Sequence, residues 1–259
     1  MSHNLIQDAL FSAKSVAELD RIAIEQRQIP SLVLMKRAGR SVLTELLETF
    51  GPPSLLSIFC GSGNNAGDGY IVAALAAAKN IQVQVIELSQ NLSQDASRAR
   101  NFAAEANVCF VPFDSSLSIE EGVIVDSLLG TGYLGNLRQP YGEAIQLIND
   151  SGLPLVAVDI PSGLNADTGH VAEVAVQADL TVTFIGAKQG LFTGQGPAFC
   201  GDIILDSLDV PADIYPEVPA SAELLNLSDL LDYLPRLASD GHKRSEERRV
   251  GKEGRSRWS

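Results

Sequence analysis

Several polar side chains follow apolar runs of this chain, and their types suit proton transfer and the binding of a cation. Asp126 and Asp159 each end an apolar run of strand-like composition, and Asn65 and Asp68 follow a third such run. Burial at the end of an apolar strand raises the pKa of a carboxyl group, as general acid–base catalysis requires. The ordinary role of an Asp after a strand is to cap a helix or a turn. Convergence of all four residues on one edge of a sheet would favour a catalytic site.

A glycine pattern that suits phosphate binding precedes Asp68. Gly61, Gly63 and Ala66 match G-x-G-x-x-G/A between a predicted strand and a predicted helix, where backbone N–H groups and a helix N-terminus face an anion. Glu87 closes the next predicted strand about twenty residues on, where a ribose-binding acid is expected. A tight turn without a ligand would show the same glycines. A ligand is favoured by three polar side chains that a turn does not need: Asn64, Asn65 and Asp68.

Oxygen-bearing side chains in these loops could also hold a cation. The candidates are the amide of Asn65, the carboxylate of Asp126 and the hydroxyl of Ser162, together with backbone carbonyl groups. Oxygen ligands without histidine or cysteine disfavour zinc and favour a hard or monovalent ion. Lys188 ends a further predicted strand. A lysine there is commonly solvated, and the alternative is a charge that reaches the ligand or Asp159.

Apolar runs alternate with helical patterns along most of the chain. We predict strands at 55–59, 81–88, 107–112, 122–126, 154–159 and 180–185, with shorter strands at 190–192 and 201–206. We predict helices at 15–26, 31–50, 69–79, 91–105 and 140–150, with Ser15 as the N-cap of the first. This alternation is typical of an α/β fold whose mostly parallel sheet is covered by helices on both faces. Ligands of such folds bind in the crevice outside the carboxyl ends of the strands.

Composition narrows the classes of partner. The 259 residues carry a net charge of -13, and residues 1–241 alone carry -17, because seven of the nineteen Lys and Arg residues lie after them. The strongly negative charge of residues 1–241 argues against nucleic acid or an anionic membrane as the main partner. Three cysteines without a C-x-x-C pair indicate a reducing compartment. The longest apolar run, 70–78, is too short to span a bilayer. We therefore expect a soluble, cytoplasmic protein.

The predicted domain covers residues 1–235, because no repeat or flexible linker interrupts it. Residues 245–259 are basic and nearly devoid of apolar side chains, so they cannot join a core. A solvated extension or a nucleic-acid arm would explain such a tail. We favour a third interpretation, that the tail resembles vector- or adapter-derived sequence and is not native.

Three motifs in order resemble those of the YjeF N-terminal family, whose members are NAD(P)H-hydrate epimerases. They occupy residues 61–69, 125–132 and 158–163. Residues 34–39 are similar to the family's LM-[E]-x-AG helix, although Lys36 stands where the family usually has an acid, and residues 184–190 are similar to its lysine strand. Ala66 replaces a commoner glycine without breaking the loop pattern.

The resemblance implies a Rossmann-like three-layer αβα sandwich that interconverts the R and S epimers of hydrated NADH and NADPH. It implies one potassium ion per subunit, held by Asn65, Asp126 and Ser162. The implied contacts to the hydrated dinucleotide are Asn64, Asn65, Ala66, Gly67, Asp68, Gly130, Thr131, Gly132, Tyr133, Leu134, Gly135, Asn136 and Asp159. We expect Asp159 to take the proton of the substrate's C6 hydroxyl group or to protonate that group for departure, and Lys188 to tune Asp159 or to stabilise an anionic intermediate.

Residues 236–244 resemble the start of the junction into the family's fused dehydratase domain. The resemblance thus implies an epimerase half that is coupled to an NAD(P)H-hydrate dehydratase. We also expect a homodimer, for which the first two helices offer a surface.

Two other functions stay open at this point. An NAD-dependent dehydrogenase would use the glycine pattern and Glu87, and it would need a His or Arg donor that the crevice loops lack. A non-catalytic dimerisation or scaffold module would be expected to lose the polar crevice residues that this chain retains.

Overall fold

Parallel strands make up the central sheet of the computed structural model, which describes residues 8–133, 135 and 137–225. The strands are β1 (Ala9–Phe11), β2 (Leu56–Cys60), β3 (Val83–Glu87), β4 (Cys109–Pro112), β5 (Val123–Ser127), β6 (Leu155–Val158), β7 (Leu180–Phe184), β8 (Ala187–Lys188), β9 (Asp202–Asp206) and β10 (Ala222–Glu223). The α-helices are α1 (Ala13–Arg21), α2 (Ser31–Phe50), α3 (Asn64–Ala78), α4 (Gln94–Glu105), α5 (Tyr141–Asp150) and α6 (Gln189–Phe192).

The strand order of the central sheet is β4-β3-β2-β5-β6-β7-β9, and every neighbouring pair is parallel. The chain adds β3 and β4 on one side of β2 and then returns to add β5 on the other side. The carboxyl ends of β2 and β5 therefore flank the point where the strand order reverses, which is where doubly wound sheets bind ligands.

Helices cover both faces of this sheet, because side chains of its strands alternate between two apolar cores. Ile58 packs with side chains of α1 to α4, whereas the next residue, Phe59, packs on the opposite face with side chains of α5. The three-layer α/β prediction is confirmed. The six main predicted strands and the strand at 201–206 all form, with bounds that differ by no more than two residues.

A second, three-stranded sheet was not predicted. Its order is β10-β1-β8, with β1 parallel to β8 and antiparallel to β10. The register pairs Phe11 with Lys188, so a strand near the start of the chain holds the strand that carries the lysine. The predicted strand at 190–192 is wrong, because these residues belong to α6.

Three helix starts differ from the predictions by two residues or more, and one of them is that of α4, which begins at Gln94 and not at residue 91. The first helix begins at Ala13, and Ser12 rather than Ser15 is its N-cap: the Ser12 hydroxyl accepts a hydrogen bond of 3.1 Å from the Ser15 amide. It continues as a π-helix over Ile22–Gln26. Helix α3 begins at Asn64, not near residue 69. Its first turns have weak helix propensity and adopt the helix because they pack tightly against neighbouring elements.

The described residues up to Leu224 form one compact unit. Among the residues that the structure describes, no helix is long and apolar enough to cross a bilayer. The predicted junction at 236–244 and the predicted tail at 245–259 lie outside the described residues, as do Leu134 and Asn136.

Candidate functional site

A cavity of about 770 Å³ opens at the carboxyl edge of the central sheet. Its wall is formed by the start of α3, by the loop after β5, by residues that follow β6 and β7, and by one side of α1 and α2. The volume falls within the usual range for small-molecule sites, and the position is the one that the strand order predicts.

Asp159 and Lys188 form an ion pair in the wall of this cavity. The Lys188 side chain is 1% exposed, and that of Asp159 is 17% exposed. The ammonium group donates to Asp159 Oδ1, to the Thr183 hydroxyl at 3.1 Å and to the Phe184 carbonyl oxygen at 3.0 Å. All three of its protons are thus engaged inside the protein. Lys188 is therefore not solvated, and its charge is paired with the carboxylate of Asp159.

The backbone of Asp159 is in the left-handed region, with φ of 68°. This conformation costs energy for a residue with a Cβ atom and is concentrated at functional sites. Hydrogen bonds from Lys188, Thr183 and the Phe184 amide all end on Oδ1. Within the described part of the chain, Asp159 Oδ2 accepts no hydrogen bond. One carboxylate oxygen is held in place, and the other remains for a ligand.

The predicted cation ligands lie together behind the loop that follows β5. Asp126 is fully buried and accepts hydrogen bonds from the Ser162 amide at 2.7 Å and the Ser162 hydroxyl at 2.6 Å. Asn65 donates through its amide nitrogen to the Leu129 carbonyl oxygen at 2.9 Å. Burial raises the pKa of Asp126 to about 6, partly offset by the bonds from Ser162.

Two buried polar atoms at the site have no hydrogen-bond partner among the described residues. They are Oδ1 of Asn65 and the hydroxyl of Tyr133, and each residue is 8% exposed and contributes to the cavity wall. An unpaired buried acceptor costs free energy unless a ligand satisfies it. The oxygen of Asn65 next to a buried carboxylate fits a cation with oxygen ligands, and the Tyr133 hydroxyl fits a polar ligand in the cavity.

The predicted dinucleotide contacts divide into two groups. Those that line the cavity are Asn64, Asn65, Asp68, Gly130, Thr131, Gly132, Tyr133 and Asp159, with Gly63 as the N-cap of α3. Ala66 and Gly67 are buried within the first turn of α3 and do not line the cavity. Asn64 also accepts a hydrogen bond from the Ser93 hydroxyl at 2.9 Å, which ties it to the start of α4. Gly135 lies outside the wall.

Glu87 does not take part in the site. Its carboxylate accepts hydrogen bonds from the Tyr70 hydroxyl at 2.7 Å and from Arg100 at 2.7 and 3.1 Å. These bonds engage both carboxylate oxygens, and Glu87 does not line the cavity. The geometry therefore gives no support to a ribose-binding role. Lys36, the departure from the family's helix motif, lies with its ammonium group 4.0 Å from the centre of the Phe102 ring, and it too lies outside the cavity wall.

Three charged residues of the cavity were missed by sequence reasoning: Asp20 on α1, Asp95 on α4 and Arg138 before α5. Arg138 corrects the expectation that the crevice loops lack an arginine. Asp20 lies on an amphipathic helix, where a carboxylate is normally assigned to solvent. Burial raises the pKa of Asp20 to about 6, with Lys188 lowering it and Asp159 raising it further. In the sequence, only the spacing of Asp20 from the buried side chains of α1 could have suggested that Asp20 has a role in the cavity.

Comparisons with known proteins agree with this geometry. Residues 31–190 match the family model described as YjeF-related protein N-terminus. A bifunctional NAD(P)H-hydrate repair enzyme Nnr of Coxiella burnetii is 38% identical over 91% of this chain, which spans about half (49%) of that relative's length. An NAD(P)H-hydrate epimerase of Limosilactobacillus fermentum is 36% identical over 78% of this chain and 97% of its own length.

A solved structure supports the fold alone. The crystal structure of the yeast protein YNL200c superimposes with a TM-score of 0.69 at 18% identity, over 84% of this chain and 95% of the yeast chain. The segment that matches the family model, residues 31–190, contains the glycine loop, the buried Asp126 and the Asp159–Lys188 pair. The chain belongs to the YjeF-related N-terminal family.

Proposed function

We propose that this chain interconverts the R and S epimers of hydrated NADH and NADPH and so serves in nicotinamide nucleotide repair. The observation that carries the proposal is the Asp159–Lys188 pair in the wall of the cavity at the strand-order reversal. Relatives that this chain covers almost completely are named NAD(P)H-hydrate epimerase, which makes the chain an isomerase.

Asp159 is suited to be the base of this reaction. The substrate carries a hydroxyl group on C6 of the reduced nicotinamide ring, next to the ring nitrogen. An ionised Asp159, held by Lys188, can take the proton of that hydroxyl through Oδ2 and return it after the stereocentre has opened and reclosed from the other face. Lys188 acts on Asp159 and not on the substrate, because its three protons are already engaged.

The rest of the cavity is suited to a dinucleotide. Backbone N–H groups at the N-terminus of α3, capped by Gly63, provide a site for a phosphate group. The Tyr133 hydroxyl and the backbone around Thr131 can satisfy polar groups of the ribose or the nicotinamide. Arg138 adds a positive charge to a wall that otherwise contains four Asp residues and the buried Lys188.

A potassium ion is proposed at Asn65, Asp126 and Ser162. When bound, the ion supplies positive charge that balances the buried Asp126 carboxylate. The chain's own residues connect this position to the substrate loops, because Ser162 accepts a hydrogen bond of 2.9 Å from the Leu129 amide. The ligand set would therefore order the loop after β5.

Potassium is expected to raise the melting temperature of the chain relative to lithium at equal concentration, since an ion that binds only the folded state stabilises it by mass action. Asn65→Leu removes the amide oxygen that lacks a partner and should abolish the difference between the two salts. Lithium serves as the control for ionic strength. Equal melting temperatures of the unaltered chain in both salts would contradict a potassium site.

The function itself is tested with the purified R epimer of hydrated NADH. We expect the chain to convert it to the S epimer much faster than buffer does, as followed by chromatography. A folded protein that gives only the buffer rate would contradict the proposal and favour a scaffold module. Reduction of NAD⁺ with tight cofactor binding would favour a dehydrogenase instead, a function that the engagement of Glu87 by Arg100 disfavours.

Cytoplasmic location, a homodimer and coupling to a dehydratase are part of the same proposal. The bifunctional relatives support a link to a second repair activity, because this chain corresponds to about half of their length. The homodimer stays a prediction.

A further inference from the structure

Three of the four Asp side chains that line the cavity interact electrostatically with one another or with the buried ammonium group of Lys188. They belong to Asp20 on α1, Asp68 on α3 and Asp159 after β6. Lys188 is already bonded to Asp159, to a hydroxyl and to a carbonyl oxygen. Its charge therefore balances one carboxylate, and the other two would repel each other and Asp159 if both were ionised.

The surroundings of Asp68 favour the protonated form of its carboxyl group. Its pKa is raised well above the ordinary value by burial, then by the charges of Asp159 and Asp20, and Lys188 offsets only part of this. The Cys60 thiol, which faces the same turn, has a raised pKa as well and stays neutral. Burial and these charges therefore favour a protonated Asp68 in the same cavity as Asp159, whose Oδ1 is bonded to the Lys188 ammonium group. Such a pair matches the two roles of acid–base catalysis.

The backbone that carries Asp68 is also fixed by unusually close packing. A Cβ atom on Gly67 would lie 2.4 Å from Met35 Cε, and one on Gly69 would lie 2.6 Å from Ser127 Oγ. On α2, a Cβ atom on Gly39 would lie 2.6 Å from Ile71 Cγ2 and 3.1 Å from the Asp68 carbonyl oxygen. The Met and Gly of the 34–39 motif therefore seat the turn of α3 that presents Asp68 to the cavity. Positioning of this kind is expected of a reacting group.

We propose, on the basis of the proposed epimerase function, that Asp68 is a second catalytic residue that exchanges a proton with the substrate in concert with Asp159, and that Asp20, in the same cavity wall, is a positioning residue that acts through Asp68. The Tyr133 hydroxyl in the same wall has no hydrogen-bond partner among the described residues, which fits a cavity that binds a polar ligand.

The proton balance of the step needs no further reactant. Asp159 takes the proton of the C6 hydroxyl, the C6–N1 bond breaks with its electron pair going to N1, and Asp68 gives its proton to N1. The open form is an aldehyde that rotates about the C5–C6 bond. N1 then attacks the other face of the aldehyde carbon, its proton returns to Asp68, and Asp159 returns the first proton to oxygen. Both residues end in their starting states.

The test is steady-state epimerisation by Asp68→Asn, which keeps the size of the side chain and cannot transfer a proton. We expect kcat to fall by about 10²–10⁴-fold with little change in KM. Asp150→Asn is the matched control, because Asp150 is a helical carboxylate on the exposed side of α5, bonded to Gln146. If the unaltered chain epimerises and Asp68→Asn retains its kcat, the inference fails while the proposed function stands. If the unaltered chain does not epimerise, the proposed function itself fails.

Two further measurements do not depend on the size of the rate loss. Carbon-13 carboxyl spectra at pH 7 should contain one Asp signal of a neutral acid, and Asp68→Asn should remove it. Asp20→Asn removes a negative charge and so lowers the pKa of Asp68, which should move the alkaline limb of the kcat/KM profile to lower pH. An ionised Asp68 at pH 7 would overturn the catalytic role, and an unmoved alkaline limb would overturn the role of Asp20.

Discussion

Asp159→Asn is expected to lower kcat for epimerisation by about 10²–10⁴-fold, the usual contribution of a positioned acid–base group. Asparagine has the size of aspartate and tolerates a positive φ, so the substitution removes the charge without adding backbone strain at φ of 68°. The measurement is the rate of conversion of the R epimer at saturating substrate, followed by chromatography.

Asp209→Asn is the matched control. Asp209 also has a positive φ, of 51°, but its side chain is 88% exposed and does not line the cavity. This variant should retain the activity of the unaltered chain. Near-normal turnover by Asp159→Asn would show that the proton is transferred by another group.

The second large effect concerns the stability of the Asp159–Lys188 pair. Asp159→Asn leaves an ammonium group that is 1% exposed without a counter-charge, which should lower the free energy of unfolding by about 3–5 kcal/mol. Lys188→Met should cost less, because the Asp159 side chain it leaves is partly exposed. The double variant Asp159→Asn/Lys188→Met removes both charges and should recover much of the loss. Urea unfolding of all four proteins measures these differences.

The double variant also separates folding from catalysis. We expect it to be more stable than Asp159→Asn and equally inactive, because the proton-transfer group is still missing. If the loss of unfolding free energy in the double variant equals the sum of the two single losses, the two charges do not interact. That result would contradict the ion pair as the reason for the burial of Lys188.

Much of the sheet could be predicted from the sequence because each central strand is a short apolar run between turn residues. The position of the cavity at one edge of the sheet could be predicted from the same pattern. Asp126 and Asp159 each end such a run, and the carboxyl ends of parallel strands lie at one edge. The two- and three-residue strands β1, β8 and β10 have no detectable periodicity, because alternation needs a longer segment. Their pairing depends on tertiary contacts alone.

The start of α3 shows where local propensity was misleading. Asn64, Gly67 and Asp68 favour turns, yet they are helical because glycines let this turn approach α2 and β5 closely. Asp20 could not be found for a different reason. Nothing in its local pattern distinguishes it from a solvated carboxylate, and only the packing of α1 over the sheet edge brings it to Asp159.

The pairing of β8 with β1 and of β1 with β10 has a consequence for the order of folding. These three strands come from segments near residues 10, 187 and 222, so their sheet closes only after very long stretches of chain have been brought together. The entropy of closing such loops makes non-local contacts slow to form. The strand that bears Lys188 should therefore be among the last parts to reach its native position. A nascent or partly refolded chain would have its central sheet before it had a working catalytic pair.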